Sequence, residues 1–301
     1  MIITMMGAYL RLQPKPLPPS GHPYVVSVFS GKGLEPGLLN TPRSVAQDGK
    51  GTCYVLDLSD RIQAFDVETG KFLRLWHLPE IKQGRPERIL WDAGSLLVTD
   101  THYGRILRYD PEGKLLKTFG EEGKEPGQLH YPTAIRVLND RRIAVTEYGG
   151  HDRIQFFTPE GKCLGGFGKG GTGPGEFMRP QGIVQGPDSN LYVADAANQR
   201  VQVFTPEGKL VRIFGEAGIA RGKMSYPYDL AFDSKGRLLV LEYGAHRISF
   251  WSPEGQWLGD LGSLGTKPGE LANPWGLCLL PDGTVLVTNS ENHRIEHWRL
   301  P

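Results

Sequence analysis

One unit, repeated six times at nearly constant spacing, constrains this chain more than any other feature of its sequence. An acidic residue (Asn in the last copy), a short turn, an arginine, a β-branched residue and an aromatic recur in order. They read Asp57…Arg61-Ile62…Phe65, Asp100…Arg105-Ile106…Tyr109 and Glu147…Arg153-Ile154…Phe157, then Asp195…Arg200-Val201…Phe204, Glu242…Arg247-Ile248…Trp251 and Asn289…Arg294-Ile295…Trp298. Successive arginines lie 44, 48, 47, 47 and 47 residues apart. Such a period belongs to architectures in which one unit cannot bury its apolar faces alone and stacks on copies of itself.

Each unit divides into four short strands. In the fourth, Gly182–Gln185 begins strand a, Leu191–Asp195 is strand b, Arg200–Phe204 strand c and Leu210–Phe214 strand d, with turns at 187–190 and 206–209. Asp282-Gly283, Glu112-Gly113, Glu160-Gly161 and Glu254-Gly255 supply the backbone freedom that tight turns need. The sequence therefore predicts an all-β, six-bladed β-propeller. Its last unit stops after strand c, and the missing strand stands at the front: Tyr24–Phe29 precedes any strand a. Val25–Pro42 aligns without gaps on Leu115–Pro132, including GKGLEPG against EEGKEPG. The N-terminal strand is thus expected to pair with the C-terminal blade and close the ring, removing edges that would invite aggregation. Residues 1–23 read as a Pro-rich tail and 24–301 as one domain.

The b–turn–c text resembles the NHL repeat, most closely at Asn292-His293-Arg294-Ile295 and Asn198-Gln199-Arg200-Val201. The resemblance covers nearly the whole chain and implies the propeller. For function it implies little, since proteins of this kind include interaction scaffolds, RNA-binding domains, sensor domains and lyases. A WD40 reading fails, because the Trp-Asp dipeptide at Trp91-Asp92 falls in an a–b turn.

Composition narrows the options. A formal net charge of +1 over 301 residues argues against a dedicated nucleic-acid binder. The stretch Met1–Leu10 is too short to span a bilayer. Cys53, Cys163 and Cys278 are odd in number and lack CxxC spacing, so they read as buried free thiols in a reducing, cytoplasmic compartment. A monomer is expected.

Repetition also separates scaffold from candidate site. The recurring pairs Asp57–Arg61, Asp100–Arg105, Glu147–Arg153, Asp195–Arg200 and Glu242–Arg247 should meet across the b–c hairpins as structural ion pairs. Asn289 breaks the rule, which leaves Arg294 without its full counter-charge and available to an anion. Residues just after the strand-a proline vary between blades: Arg43, Glu87 with Arg88, Gln181, Tyr228 with Asp229, and Trp275. They should ring the channel mouth, with the charged groups of neighbouring blades facing the aromatic ones. Glu147-Tyr148 and Glu242-Tyr243 should narrow that mouth, and the short link at 77–85 should leave a notch beside Glu87 and Arg88.

His102, His151, His246 and His293 fall in b–c turns but form no visible ligand cluster, so neither a metal nor a cofactor is expected. No GxSxG, P-loop or nucleophile–base pair is present. The favoured reading is a non-catalytic scaffold that presents the channel mouth to a protein, peptide or small polar ligand. A lyase or hydrolase is the alternative, using Tyr228 or Tyr243 as acid or base, Arg43 or Arg88 as an anion clamp, and a metal if one is held. Single-stranded RNA binding is the weakest reading.

Overall fold

A computed structural model of the chain describes residues 23–79 and 85–301. The Pro-rich tail proposed for the N-terminus lies outside the described residues except at its end, as does most of the short link after blade one. Strands b and c carry apolar side chains on both faces because each sheet is sandwiched between two others. Leu191–Asp195 and Leu238–Glu242 are buried at every position, whereas outer strands such as Leu210–Phe214 alternate between half-buried and exposed.

Six four-stranded antiparallel sheets result. Blade one consists of Pro42–Gln47, Thr52–Asp57, Arg61–Asp66 and Phe72–His77. The fourth blade has strands Pro180–Gln185, Leu191–Asp195, Arg200–Phe204 and Leu210–Phe214, so strand a alone starts earlier than the sequence suggests. Trp91 and Asp92 end strand a of blade two, and the a–b turn follows them at Ala93-Gly94.

Closure is made by Val25–Phe29, which lies antiparallel to Arg294–Trp298 in the register Val25↔Trp298, Ser27↔His297, Val28↔Glu296 and Phe29↔Ile295. It becomes the outer strand of the sixth sheet. Six hydrophobic clusters follow, one between each pair of neighbouring blades. Val25 and Val28 enter the cluster between blades five and six, and Phe29 the one between six and one. The N-terminal strand therefore serves both interfaces at which the ring shuts.

The repeated acid and arginine hold each b–c hairpin, and they also clamp the loop that leads into the same blade. Arg200 Nε donates to Asp195 Oδ2 at 2.8 Å while its other nitrogens donate to the carbonyls of Thr172, Gly173 and Glu176. Asp195 in turn accepts the backbone N–H of Met178. Arg61–Asp57 (3.0 Å), Arg153–Glu147 (3.0 Å) and Arg247–Glu242 (3.1 Å) are built alike, and Arg105–Asp100 (2.8 Å) pairs across the same hairpin in blade two. A glutamine two residues after the arginine completes the clamp in three blades: Gln63, Gln155 and Gln202 each accept a loop glycine N–H.

The sixth blade corrects the expectation about Arg294. The acid has not been lost but exchanged with the glutamine position: Asn289 stands where the acid was and Glu296 where the glutamine was. Glu296 Oε1 accepts from Arg294 Nη2 (2.6 Å) and Asn289 Nδ2 (2.7 Å), and its Oε2 accepts the loop N–H of Gly269 (2.8 Å). Arg294 also donates to the carbonyls of Thr266 and Lys267. Its charge is matched inside the blade, so it is not an anion site. The cysteines also need adjustment: Cys53 is buried, but Cys163 and Cys278 are only partly so.

Candidate functional site

The upper face of the ring, where b–c turns meet d–a loops, gathers several of the variable residues. Arg43 follows the strand-a proline of blade one, and its guanidinium carbon lies 4.4 Å from the centre of the Trp275 ring. Arg43 Nη1 is 3.5 Å from Glu87 Oε1. Tyr228 stacks on Tyr243, centroids 4.6 Å apart, and meets Trp275 edge-on at 4.9 Å. Opposite this aromatic wall stands Tyr148, against Tyr131 at 5.3 Å. Arg179 lies between the two walls, its guanidinium carbon 5.2 Å from the Tyr148 ring and 5.9 Å from that of Tyr228.

What distinguishes this rim is the state of its polar atoms. Arg43 Nε, Glu87 Oε2, Arg179 Nε, Trp275 Nε1 and both amide atoms of Gln181 are buried yet make no hydrogen bond among the described residues. Gln181 sits beside the Glu87 carboxylate without reaching hydrogen-bond geometry. Each buried group left so costs ~1–3 kcal/mol. A fold tolerates several in one place when a partner from outside satisfies them.

Electrostatics here runs against tyrosine acting as a base. Burial raises the Glu87 carboxyl above its usual range, although Arg43, Arg179 and Arg88 pull it down. Burial likewise pushes the Tyr228 phenol up to about 12, outweighing the opposing pull of Arg179. A tyrosine acting as base would need the opposite shift.

Other candidates lie elsewhere. Arg88 and Asp229 sit below the rim and are spent on each other: Arg88 Nη1 donates to Asp229 Oδ2 across the channel, from blade two to blade five, and Arg88 Nη2 donates to the Tyr228 carbonyl at 3.2 Å. Asp229 Oδ2 also accepts the Leu277 N–H at 2.8 Å. Glu147 and Glu242 do not narrow the mouth; both are fully buried and bonded to Arg153 and Arg247 within their own blades. Their neighbours Tyr148 and Tyr243 do reach the rim.

Two of the turn histidines have a structural task. His246 Nδ1 accepts the Asn273 N–H and His293 Nδ1 the Thr41 N–H, both at 3.0 Å, so each ties its turn to the next blade. Asp152 does the same for Arg179 N at 2.6 Å. Among the described residues no group of three or more His, Cys, Asp or Glu is placed to hold a metal ion.

Two rim residues escaped the sequence reading. Arg179 occupies the place before the strand-a proline, where residues also differ from blade to blade; comparing that position would have found it. Asp60 occupies the turn position filled by Asp152, His246 and His293, but its Oδ1 has no partner among the described residues. Burial, reinforced by Asp100 and Asp57, raises its pKa to about 6. A carboxyl raised in this way contributes stability that is fully present below its unfolded value near 3.8 and is lost as pH rises through about 6. Asp60→Asn is therefore expected to raise Tm at pH 7 by ~2–4 °C, a shift equivalent to ~1 kcal/mol, and to change it little at pH 4. Thermal melts at the two pH values check this, and an equal shift at both refutes it.

The NHL repeat family matches residues 177–204 and 271–298, which contain strands a to c of blades four and six. The chain is a six-bladed propeller carrying NHL repeats. No curated protein matches it in sequence. A streptogramin B lyase structure is similar to this propeller at TM-score 0.66 and 16% identity, covering 91% of this chain and 97% of that one. A calcium-binding protein, regucalcin, from Agrobacterium tumefaciens is similar at 0.65 and 14%, covering 90% and 94%. The WD40 propeller domain of Doa1 is similar at 0.61 and 14%, covering 91% and 82%. At these identities the likeness concerns the fold. Among the described residues, no helix of this propeller is long and apolar enough to cross a membrane.

Proposed function

We propose that the upper rim of the propeller recognises a small polar, peptide-like ligand, and that the ring is its rigid, non-catalytic carrier. The observation that carries this reading is the concentration of buried, unpartnered donors and acceptors at Arg43, Glu87, Arg179, Gln181 and Trp275. Both donors and acceptors stand unpartnered there, as a peptide would need, and the Tyr228–Tyr243–Trp275 wall offers apolar area beside them. The lyase or hydrolase alternative is weakened by the raised Tyr228 phenol.

Isothermal titration of a panel of capped dipeptides into the full chain tests the proposal. At least one is expected to bind wild type, and Gln181→Leu and Arg179→Met should each weaken it by tenfold or more, since a hydrogen bond to a charged or buried group is worth ~1.5–3 kcal/mol. Binding that survives both substitutions, or an inert wild type across the panel, would overturn it.

A further inference from the structure

Beneath the Arg88–Asp229 pair the channel widens into a second space that the rim does not share. It has a volume of about 300 Å³ and is walled by the strand-a residues of all six blades, reaching the outer strand-a ends at Gln47, Trp91, Phe232 and Leu279. Its side chains are apolar apart from Gln47, Arg88, Asp229 and Arg136, but polar atoms, those of the strand-a backbone included, make up more than half of the surface it exposes. Asp229 is already committed, its Oδ2 to Arg88 and to Leu277 N and its Oδ1 to Leu230 N. Gln47 is engaged as well, donating to the Leu279 carbonyl at 3.3 Å.

Arg136 stands alone. It makes no hydrogen bond or ion pair among the described residues, although it belongs to an inner strand, Pro132–Val137. The charged lining therefore sums to one uncompensated cation. Burial lowers the Arg136 pKa, with Asp229 only partly offsetting it. An unmatched, partly buried charge is costly, and a guanidinium offers a planar fork that fits a carboxylate with two parallel hydrogen bonds. Water's share of liquid volume is ~30 Å³, so the space admits a body of roughly ten heavy atoms.

We infer that the lower channel is a second binding site, for a small organic carboxylate whose anionic end is held by Arg136 and whose apolar body lies along Trp91, Phe232 and Leu279. Those apolar side chains give an organic carboxylate contacts that an inorganic anion cannot make.

Benzoate is the probe, titrated calorimetrically into the full chain, with inorganic phosphate in a parallel arm. Wild type is expected to bind benzoate and to prefer it to phosphate. Arg136→Met should weaken benzoate at least tenfold and, in the absence of any anion, raise Tm by removing the unmatched charge. Ala231→Phe, which fills the cavity and keeps the cation, should abolish benzoate binding too, and it provides the test should Arg136→Met not fold. No benzoate uptake by wild type, unaltered binding in either variant, or phosphate held as tightly as benzoate would each overturn the inference.

Discussion

Deleting the chain through Phe29 is expected to leave a protein that does not form a stable monomeric ring. The lost strand buries Val25, Val28 and Phe29 in the two cores flanking the closure. Each such side chain is worth ~1.5–3 kcal/mol of burial. The strand also supplies the ladder that covers Arg294–Trp298, and Arg299 N donates to the Tyr24 carbonyl at 2.7 Å just beyond it. The sum approaches the whole stability of a typical domain, ~5–15 kcal/mol. An uncovered Arg294–Trp298 edge would then pair with other chains. Urea unfolding together with size-exclusion chromatography reads both effects. The milder Phe29→Ala should cost ~3–5 kcal/mol without altering the oligomeric state. A deleted chain that melts and elutes like wild type would mean that the ring is closed by something else.

Arg88→Met is expected to cost ~3–5 kcal/mol, because it strands Asp229 as an unpaired buried carboxylate. Both side chains are about one-tenth exposed, so water cannot replace the lost partner. The residues around the pair are small: a Cβ on Gly276 would fall 2.7 Å from the Arg43 carbonyl oxygen and 3.5 Å from Arg88 Nη1. That narrowness lets one arginine cross from blade two to blade five. Asp229→Asn should cost less, since the amide oxygen still accepts the Leu277 N–H. Combining Arg88→Met with Asp229→Asn should recover much of the loss, because neither member of the pair is then left as a bare charge. Equilibrium urea unfolding of the two single variants and the double variant measures the coupling. Additive costs would show that the two residues act independently.

Much of the fold is legible in the sequence because its determinants are local. Strands b, c and d of blade four begin and end where their turn residues and apolar runs put them, since a hairpin's register is set within a few residues of its turn. Closure is legible too: a unit missing at one end and a spare strand at the other can be matched by length alone. Variation after the strand-a proline pointed to Arg43, Glu87, Gln181, Tyr228 and Trp275, and the structure brings these together on one rim. It also pointed to Arg88 and Asp229, which pair below the rim, while the shared Glu-Tyr-Gly text misjudged Glu147 and Glu242, whose side chains turn into their own blades to meet an arginine and a loop N–H.

The sequence by itself determined how many sheets there are, how each is ordered and which strand shuts the ring. Every one of those depends on neighbours in the chain or on the count of repeats. Only the tertiary structure decided which charges are spent and which remain. Arg294 finds Glu296 two residues away on the same strand, Arg88 finds Asp229 141 residues away, and Arg136 finds no partner among the described residues. Ring closure sets those distances across a shared axis, and a short-range ionic contact depends on distance in space, to which separation along the chain is no guide.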